Sequence, residues 1–407
     1  MIKSINRGRL TAISDPSSNM NLHNRLFMIA AMAVSVSLSA SGKDTPANTI
    51  KLTSKDTTYL DMPVNINQMK GSLIVDTGAM HTIIKADLAR DLKLNLEATG
   101  TTSEGIDGDS DIMLGEITAY VPGHRSRDFP TLSGKHDFEE MSENVRVTSF
   151  GRDFGIIGLP ELAAAGAVID CAGSSMTLYP KGNFQRPKGN FELPMLRYTG
   201  KSKLMRRFSA LFQTEKVEAS FVWGLPVTIA DKQGAMMVDT GAEVSFISST
   251  FAKRVGIKPG GANFTAQGTN ASQQMTLCTL PDLLLGGKLQ LGKIQVLSGK
   301  LPALHDVAGG DLPFIGILGI DQLRRIEAFF DCKRGIIYAT RGPLKRNRLN
   351  PMAVDVTSTL KALAKAGDKE VNQMLKAAAA KGEKPNLSLY QANKYIDRAI
   401  SRGLLVE

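Results

Sequence analysis

Residues 75–79 read Val-Asp-Thr-Gly-Ala, and the same five residues recur at 238–242. Each block ends a longer stretch, Met62 to Ala79 or Leu225 to Ala242, and the two stretches align without a gap at a constant offset of 163. In both stretches an apolar run leads directly into the aspartate, so each carboxylate ends a predicted buried strand. The chain therefore contains an internal repeat, and this repeat decides the fold.

The repeat continues downstream of the two aspartates, where Gly155-Ile-Ile-Gly158 corresponds to Gly316-Ile-Leu-Gly319. Short runs of β-branched and apolar residues alternate with Gly and Asn throughout both copies, a pattern typical of strands joined by tight turns. The clear helical segments inside the copies are Leu159 to Ala165 and Ile320 to Ala328. The sequence thus predicts an all-β fold of two tandem β-barrel lobes with one short helix each, plus a C-terminal α-helical extension.

Two regions lie outside the copies on their C-terminal sides. Residues 181–217 are rich in Lys and Arg and lack a sustained apolar period, which predicts a basic, solvated linker. In residues 350–407, apolar side chains at helical spacing predict three helices separated at Gly367 and Gly382. This tail is either an appendage packed on the lobes or a module that binds a partner or the cell envelope, and the sequence leaves both interpretations open.

The N-terminal region has the pattern of a secretory signal peptide. A basic segment precedes an apolar run from Leu26 to Leu38, and small residues follow at 39–41. The run is shorter than the ~20 residues that span a bilayer, which favours a cleaved signal over a permanent anchor. We therefore expect a secreted, periplasmic protein without a stable membrane span, whose translation starts at Met1 or Met20. The predicted division of the chain is 1–41 for the extension and signal peptide, 50–180 for the first lobe, 181–217 for the linker, 218–342 for the second lobe and 350–407 for the tail.

Composition excludes several classes of protein. With 43% apolar residues the chain as a whole is not disordered, and its 3 cysteines and 5 histidines are too few for a disulfide scaffold or a dense zinc cluster. The net charge of +10 comes without the interleaved aromatic residues of a nucleic-acid site. In an oxidising compartment Cys171, Cys278 and Cys332 allow one disulfide bridge, and the sequence does not choose the pair. We predict no cofactor, no metal and no nucleic-acid partner.

Asp76 and Asp239 each end a strand and precede a glycine, Gly78 or Gly241, that lets the backbone turn and approach closely. If a pseudo-twofold axis relates the copies, the two carboxylates lie within hydrogen-bonding distance. Like charges that close cannot both ionise cheaply, so the pair shares one proton and titrates as a unit. One carboxylate then accepts a proton from water while its protonated partner donates to a carbonyl oxygen. Such a pair hydrolyses amide bonds and needs neither a metal nor a covalent intermediate.

The segments Asp76-Thr-Gly-Ala-Met-His-Thr-Ile-Ile84 and Asp239-Thr-Gly-Ala-Glu-Val-Ser-Phe-Ile247, each with its downstream apolar-apolar-Gly element, resemble the aspartic proteases. The likeness is greatest to the retropepsin-like branch and covers approximately residues 50–342. It implies an aspartic endopeptidase that cuts polypeptide substrates with Asp76 and Asp239 as catalytic residues. Because both copies lie on one chain, as in the bilobed pepsins, the resemblance also implies a self-sufficient monomer.

The same resemblance assigns supporting roles near the aspartates. Thr77 and Thr240 would hydrogen-bond across the interface between the lobes, and the adjacent Gly78 and Gly241 would shape the two turns. A glycine-bearing hairpin in each lobe would close over the substrate. The flap candidates are Gly105 and Gly108 in the first lobe and Gly268 in the second.

Ala79 and Ala242 stand where pepsin-like members often carry Ser or Thr. Loss of a hydroxyl donor to an ionised carboxylate raises its pKa, so we predict a mildly acidic pH optimum. The alternative to an active enzyme is a catalytically inactive protein that binds peptides on the same scaffold.

Overall fold

A computed structural model describes residues 49–52, 59–104, 109–129, 131–140, 147–148, 151–200, 221–267, 272–301, 304, 307–340 and 356–404. The described residues are mostly β-sheet. The predicted signal peptide and the flap candidates Gly105, Gly108 and Gly268 lie outside these ranges. Within them, no helix is both long enough and apolar enough to cross a bilayer.

The first half of the molecule runs from the first described strand to residue 178. Its elements, in chain order, are β1 (Thr49–Lys51), β2 (Asp61–Ile66), β3 (Met69–Val75), β4 (Ile83–Lys85), α1 (Ala86–Leu92), β5 (Glu97–Glu104), β6 (Asp109–Ile117), β7 (Ala119–Tyr120), a 3-10 turn (Ser126–Asp128), β8 (Gly134–Glu139), β9 (Val147–Thr148), β10 (Gly151–Ile157), α2 (Leu159–Ala164), β11 (Ala167–Asp170) and β12 (Ser175–Leu178).

Two connecting strands, the second half and the C-terminal segment follow. The connecting strands are β13 (Phe191–Pro194) and β14 (Leu196–Gly200). The second half contains β15 (Phe221–Ile229), β16 (Lys232–Val238), β17 (Phe246–Ser248), α3 (Ser249–Arg254), β18 (Pro259–Gln267), β19 (Ser272–Leu280), β20 (Leu284–Leu285), β21 (Leu289–Gln290), β22 (Ile294–Gly299), β23 (Val307–Ala308), β24 (Phe314–Leu318), α4 (Ile320–Arg325), β25 (Phe329–Asp331) and β26 (Ile336–Ala339). The C-terminal segment contains α5 (Val356–Lys365), α6 (Lys369–Ala380), β27 (Asn386–Leu387) and α7 (Leu389–Ser401).

The strands that end at the two aspartates occupy the same place in each half. β3 pairs antiparallel with β2 and parallel with β10, and β16 pairs antiparallel with β15 and parallel with β24. The parallel partners end together, because Val75 lies opposite Ile157 and Val238 lies opposite Leu318. In each half, the loops that follow these two strand ends therefore meet at one edge of their sheet.

The core joins the halves. One sheet has the order β1-β12-β11-β25-β26-β13 and so takes strands from both halves. Val168 pairs with Asp331 and Ile169 with Phe330 across the seam between them. Ile169 and Phe330 are fully buried in the main hydrophobic cluster. This shared sheet holds the halves together on the strands that close each repeat copy.

The prediction of one short helix in each half needs correction, because α1 and α3 add a second helix to each. These helices of 7 and 6 residues follow β4 and β17 and have no side-chain N-cap. α3 buries only Phe251 and Ala252. Two buried positions in six residues give too short a pattern to show helical periodicity in the sequence.

The prediction of a solvated linker over 181–217 also needs correction in its described part. β13 pairs with β26, with Leu193 opposite Ile337, and β14 pairs with β15, with Tyr198 opposite Val222. Leu193 is fully buried, and residues 201–217 lie outside the described ranges. Strands of 4 and 5 residues alternate too briefly to be recognised without their partners.

All three cysteines, Cys171, Cys278 and Cys332, are buried free thiols. Burial raises the pKa of the Cys171 thiol to about 12, so this thiol stays protonated at neutral pH. The disulfide that the sequence allowed is therefore not formed in this structure.

Candidate functional site

Each aspartate is held by the turn that follows its strand. The backbone N–H of Asp76 donates to the carbonyl oxygen of Ile157 (3.1 Å), and Asp76 Oδ1 accepts from the N–H groups of Gly78 (2.8 Å) and Ala79 (3.0 Å). The second turn repeats this pattern. The N–H of Asp239 donates to Leu318 (3.1 Å), and Asp239 Oδ1 accepts from Gly241 (2.8 Å) and Ala242 (3.0 Å). The backbone thus fixes the orientation of both carboxyl groups.

Thr77 and Thr240 connect the two turns. Thr77 Oγ1 donates to the carbonyl oxygen of Val238 (2.9 Å), and Thr240 Oγ1 donates to that of Val75 (2.5 Å). Each hydroxyl also accepts the backbone N–H of the other threonine, at 3.1 and 3.2 Å. Both threonines are fully buried. Because each hydroxyl both donates and accepts across the interface, the network fixes one turn relative to the other.

The two carboxyl groups are hydrogen-bonded to each other. The glycines of the two turns show how closely each turn packs against the carboxyl group of the other half. A Cβ atom added to Gly78 would lie 2.5 Å from Cγ of Asp239, and one added to Gly241 would lie 2.5 Å from Cγ of Asp76. Each glycine therefore faces the carboxyl group of the other half, and the structure brings together all six residues predicted for the site's centre. These residues are Asp76, Thr77, Gly78, Asp239, Thr240 and Gly241.

Burial makes the paired carboxyls hard to ionise. The pKa of Asp239 lies well above its ordinary value of 3.8, first because of burial and then because of the neighbouring Asp76 charge. Burial also raises the pKa of Asp76, while the hydrogen bond from Asp239 and the two backbone N–H groups partly oppose this rise. When one carboxyl of the pair is ionised, the other keeps its proton, so the two groups hold one proton between them. Asp76 keeps some solvent exposure, whereas Asp239 is 7% exposed.

Each turn is supported by one hydroxyl residue and one carboxyl residue. The sequence analysis did not predict these residues. In the first half, Thr82 Oγ1 accepts the N–H of Gly158 (3.0 Å) and hydrogen-bonds to the Glu161 side chain. Thr82 thereby links the Asp76 turn to the end of β10. The sequence could have indicated Thr82, because the repeat offset that aligns the two aspartates also aligns Thr82 with another hydroxyl residue.

That residue is Ser245, which makes the same link in the second half. Ser245 Oγ accepts the N–H of Gly319 (3.0 Å) and donates to Asp321 Oδ1 (2.7 Å). Asp321 is fully buried, and burial raises its pKa. The supporting acid occupies different repeat positions in the two halves, so the sequence alignment alone gave no reason to pair Glu161 with Asp321.

Glu161 provides a stability prediction. Burial raises its pKa from 4.5 to about 7, and within the described part of the chain its Oε2 is a buried atom without a hydrogen-bond partner. A raised pKa means that ionisation is more costly in the folded state, so this group lowers stability as pH rises from 4.5 to about 7. We expect Glu161→Gln to remove this loss and to stabilise the protein by roughly 3 kcal/mol above pH 7.

Urea unfolding of the wild type and Glu161→Gln at pH 4.5, 6 and 8 measures this effect. The difference in unfolding free energy between the two proteins should grow from the lowest to the highest of these pH values. Glu140→Gln, at an exposed carboxylate that pairs with Arg90 on the surface, is the control and should show no such growth. A constant difference for Glu161→Gln would contradict the prediction.

Within the described ranges, no group of three or more His, Cys, Asp or Glu side chains is arranged to hold a metal ion. Burial lowers the pKa of His81 to about 4, so this side chain is neutral at neutral pH. The described arrangement can exchange protons through its paired carboxyls.

Family models of known proteins match a region in each half of the chain. Residues 62–133 match the family model described as "Aspartyl protease", and residues 225–325 match the one described as "gag-polyprotein putative aspartyl protease". Each matched region contains one of the two aspartates. No curated protein matches the chain by sequence.

Solved structures also match the chain. Among them is a crystal structure of a retropepsin-like aspartic protease from Rickettsia conorii, with 17% sequence identity and a TM-score of 0.23. The match covers 38% of this chain and 95% of that chain.

Proposed function

This chain belongs to the retropepsin-like aspartic proteases, and we propose that it is an endopeptidase in which Asp76 and Asp239 activate water against a peptide bond. The observation that carries the proposal is the hydrogen-bonded pair of buried carboxyls with raised pKa values, one from each half. Two such groups sharing one proton supply a base and an acid at the same point. The proposed substrate is an extended polypeptide.

The proposed reaction assigns one role to each carboxyl group. Ionised Asp76 accepts a proton from a water molecule, and the resulting hydroxide equivalent attacks the carbonyl carbon of the peptide bond. Protonated Asp239 donates its proton to the carbonyl oxygen, which forms a neutral tetrahedral intermediate. The proton on Asp76 then passes to the departing nitrogen, the C–N bond breaks, and Asp239 recovers a proton from the intermediate. No net proton is gained or lost by the pair.

Hydrolysis of an unfolded protein by the purified chain tests the proposal. New termini should form inside the substrate, and a peptide inhibitor with a hydroxyl group in place of the scissile carbonyl should block cleavage, because its hydroxyl occupies the position of the attacked carbon's oxygens. The alternative, an inactive peptide-binding protein, would bind the inhibitor without cutting any substrate. Binding without cleavage across the pH range 3–8 would therefore overturn the proposal.

The raised pKa values predict the pH dependence of the reaction. Activity requires Asp76 to be ionised, so the rate should rise with pH through the pKa of Asp76, which lies above 3.8. It should fall as Asp239, whose pKa lies well above 3.8, loses its proton. We expect a bell-shaped profile of kcat/KM with a mildly acidic optimum, measured with a peptide that lacks ionisable side chains. An optimum at about pH 2 would contradict the prediction, because burial would then not dominate the pair.

A further inference from the structure

The C-terminal segment is built into the second half by a strand. β27 extends the sheet by pairing parallel with β18, with Asn263 opposite Asn386 and Phe264 opposite Leu387. The N–H of Asn263 donates to the carbonyl oxygen of Pro385 (2.9 Å), and Asn386 Nδ2 donates to Thr265 Oγ1 (3.0 Å). β18 is the outer strand of the β18–β19 hairpin, so β27 covers the edge of this hairpin.

Side-chain packing continues the same connection. One buried cluster contains apolar residues of the hairpin, such as Phe264 and Met275, together with Leu387 and apolar residues of α5, α6 and α7. The cluster also contains Ala242, whose N–H donates to Asp239 Oδ1. Leu387 is 1% exposed and lies at the junction of the strand pairing and the cluster. The C-terminal segment thus contributes to the same core as the Asp239 turn.

The helices hold β27 in place through caps and ion pairs. Asp368 caps α6 by accepting the N–H of Val371 (3.1 Å), and it pairs with Arg398 of α7 at 3.0 Å and with Arg402 at 3.1 Å. These interactions lower the pKa of Asp368, although its burial opposes this. Ser388, directly after β27, starts α7 in a capping box with Gln391. The strand therefore lies between two fixed helices.

We propose that the C-terminal segment positions the β18–β19 hairpin for substrate binding, through the core that the hairpin shares with Ala242 of the Asp239 turn, and that Leu387 and Asn386 are the positioning residues. The hairpin alone would be a two-stranded extension of its sheet, and an added edge strand with a shared core restricts its local opening. The first half provides a contrast: in the described part of the chain its β5–β6 hairpin ends the sheet at β5. The conformation of the β18–β19 hairpin should therefore depend on residues 356–404 more than that of the β5–β6 hairpin does. The part of the proposal that concerns substrate rests on the proposed function.

Amide hydrogen exchange on the whole chain tests the positioning directly. Leu387→Ala should raise exchange in residues 259–267 and 272–280 by about tenfold, because it opens the shared core at the hairpin edge. Asn386→Ala, at an exposed position that does not threaten folding, should raise it by a smaller factor. Exchange in β5 and β6 should stay unchanged in both variants. Leu387→Met, which keeps the side-chain volume, should restore the wild-type pattern.

Val371→Ala is the matched control. Val371 is fully buried in the same cluster but lies on α6, which packs on α5. Because β27, and not α6, pairs with β18, Val371→Ala should destabilise the chain while raising exchange in the β18–β19 hairpin less than Leu387→Ala does. Equal rises in both hairpins for Leu387→Ala and Val371→Ala, or no rise in the β18–β19 hairpin for Leu387→Ala and Asn386→Ala, would overturn the positioning role.

Kinetics with a peptide substrate test the link to binding. We expect KM to rise about fivefold in Leu387→Ala while kcat changes less than about twofold, the pattern of lost substrate binding. Partial unfolding would instead lower the apparent kcat and leave KM unchanged. Raised hairpin exchange with unchanged KM would overturn the link to substrate. If the wild type cuts no polypeptide, the proposed function fails, and the exchange measurement still decides whether the C-terminal segment positions the hairpin.

Discussion

Replacing Asp239 with asparagine is expected to lower the rate of peptide hydrolysis by about 10³-fold or more, since a positioned acid–base group contributes roughly 10²–10⁴-fold and the two carboxyls act as one unit. An amide in this position has no proton to donate as an acid. The turn should survive, because the asparagine Oδ1 still accepts the N–H groups of Gly241 and Ala242. Asp76→Asn should have an equally large effect, because it removes the base.

A measurement of thermal stability distinguishes this loss of activity from unfolding. Burial raises the pKa of Asp239 well above 3.8, so the wild type loses stability as pH rises above 3.8 toward that raised pKa. Asp239→Asn removes the ionisable group and should melt at an equal or higher temperature than the wild type at neutral pH. Asp137→Asn is a matched control, because burial also raises the pKa of Asp137, to about 6, outside the carboxyl pair. Substantial hydrolysis by folded Asp239→Asn would remove the basis of the proposed mechanism.

Gly241→Ala is expected to lower kcat by about 10²-fold or more, because displacing a reacting group by about 1 Å has an effect of that size. The added Cβ would lie 2.5 Å from Cγ of Asp76 and 2.6 and 2.8 Å from its two carboxyl oxygens. Gly241 does not have a positive φ angle, so alanine fits its backbone conformation. The methyl group therefore acts on the Asp76 carboxyl rather than on the turn itself. Gly78→Ala should act on Asp239 in the same way, with its Cβ 2.5 Å from Cγ.

Single-turnover kinetics with saturating peptide measures this effect on the chemical step. Gly292→Ala is the control, since Gly292 has a φ of 66° with open space around its Cβ position. Gly292→Ala should lose some stability because of backbone strain and should retain the wild-type kcat. Gly241→Ala should retain most of its stability and have a much lower kcat. Similar kcat values for wild type and Gly241→Ala would mean that the two carboxyls are farther apart in solution than the structure places them.

The centre of the site was predictable from the sequence because its geometry is a consequence of duplication. Two identical turns at the ends of matching strands have to meet if the halves are related by pseudo-symmetry. The hydrogen bonds of Thr77 and Thr240 to the opposite half, and the contact of each glycine with the opposite carboxyl, follow from that one arrangement. Thr82 and Ser245 were detectable by the same alignment and were missed because a lone hydroxyl residue carries no motif.

The connecting strands and the short helices were not predictable in the same way. The sequence predicts a linker at β14 because Leu196, Tyr198 and their neighbours give too few alternations to indicate a strand. Its position depends on Tyr198, whose hydroxyl donates to the carbonyl oxygen of Leu312 (2.7 Å) and whose ring lies 4.1 Å from that of Phe314. Such contacts between distant segments leave no local pattern, since each segment supplies only half of the interaction.

The amino-acid order alone determined that this protein has two copies of one carboxylate-bearing turn, mostly β structure and helices at its C-terminal end. Those features depend on local periodicity and on self-similarity, which are properties of the chain before it folds. Tertiary structure decided that the two carboxyls share a hydrogen bond, that burial raises the pKa values of both, and that β27 joins the edge of β18. The reason is physical: desolvation and strand register depend on what surrounds a residue in space, and distant parts of the chain supply those surroundings.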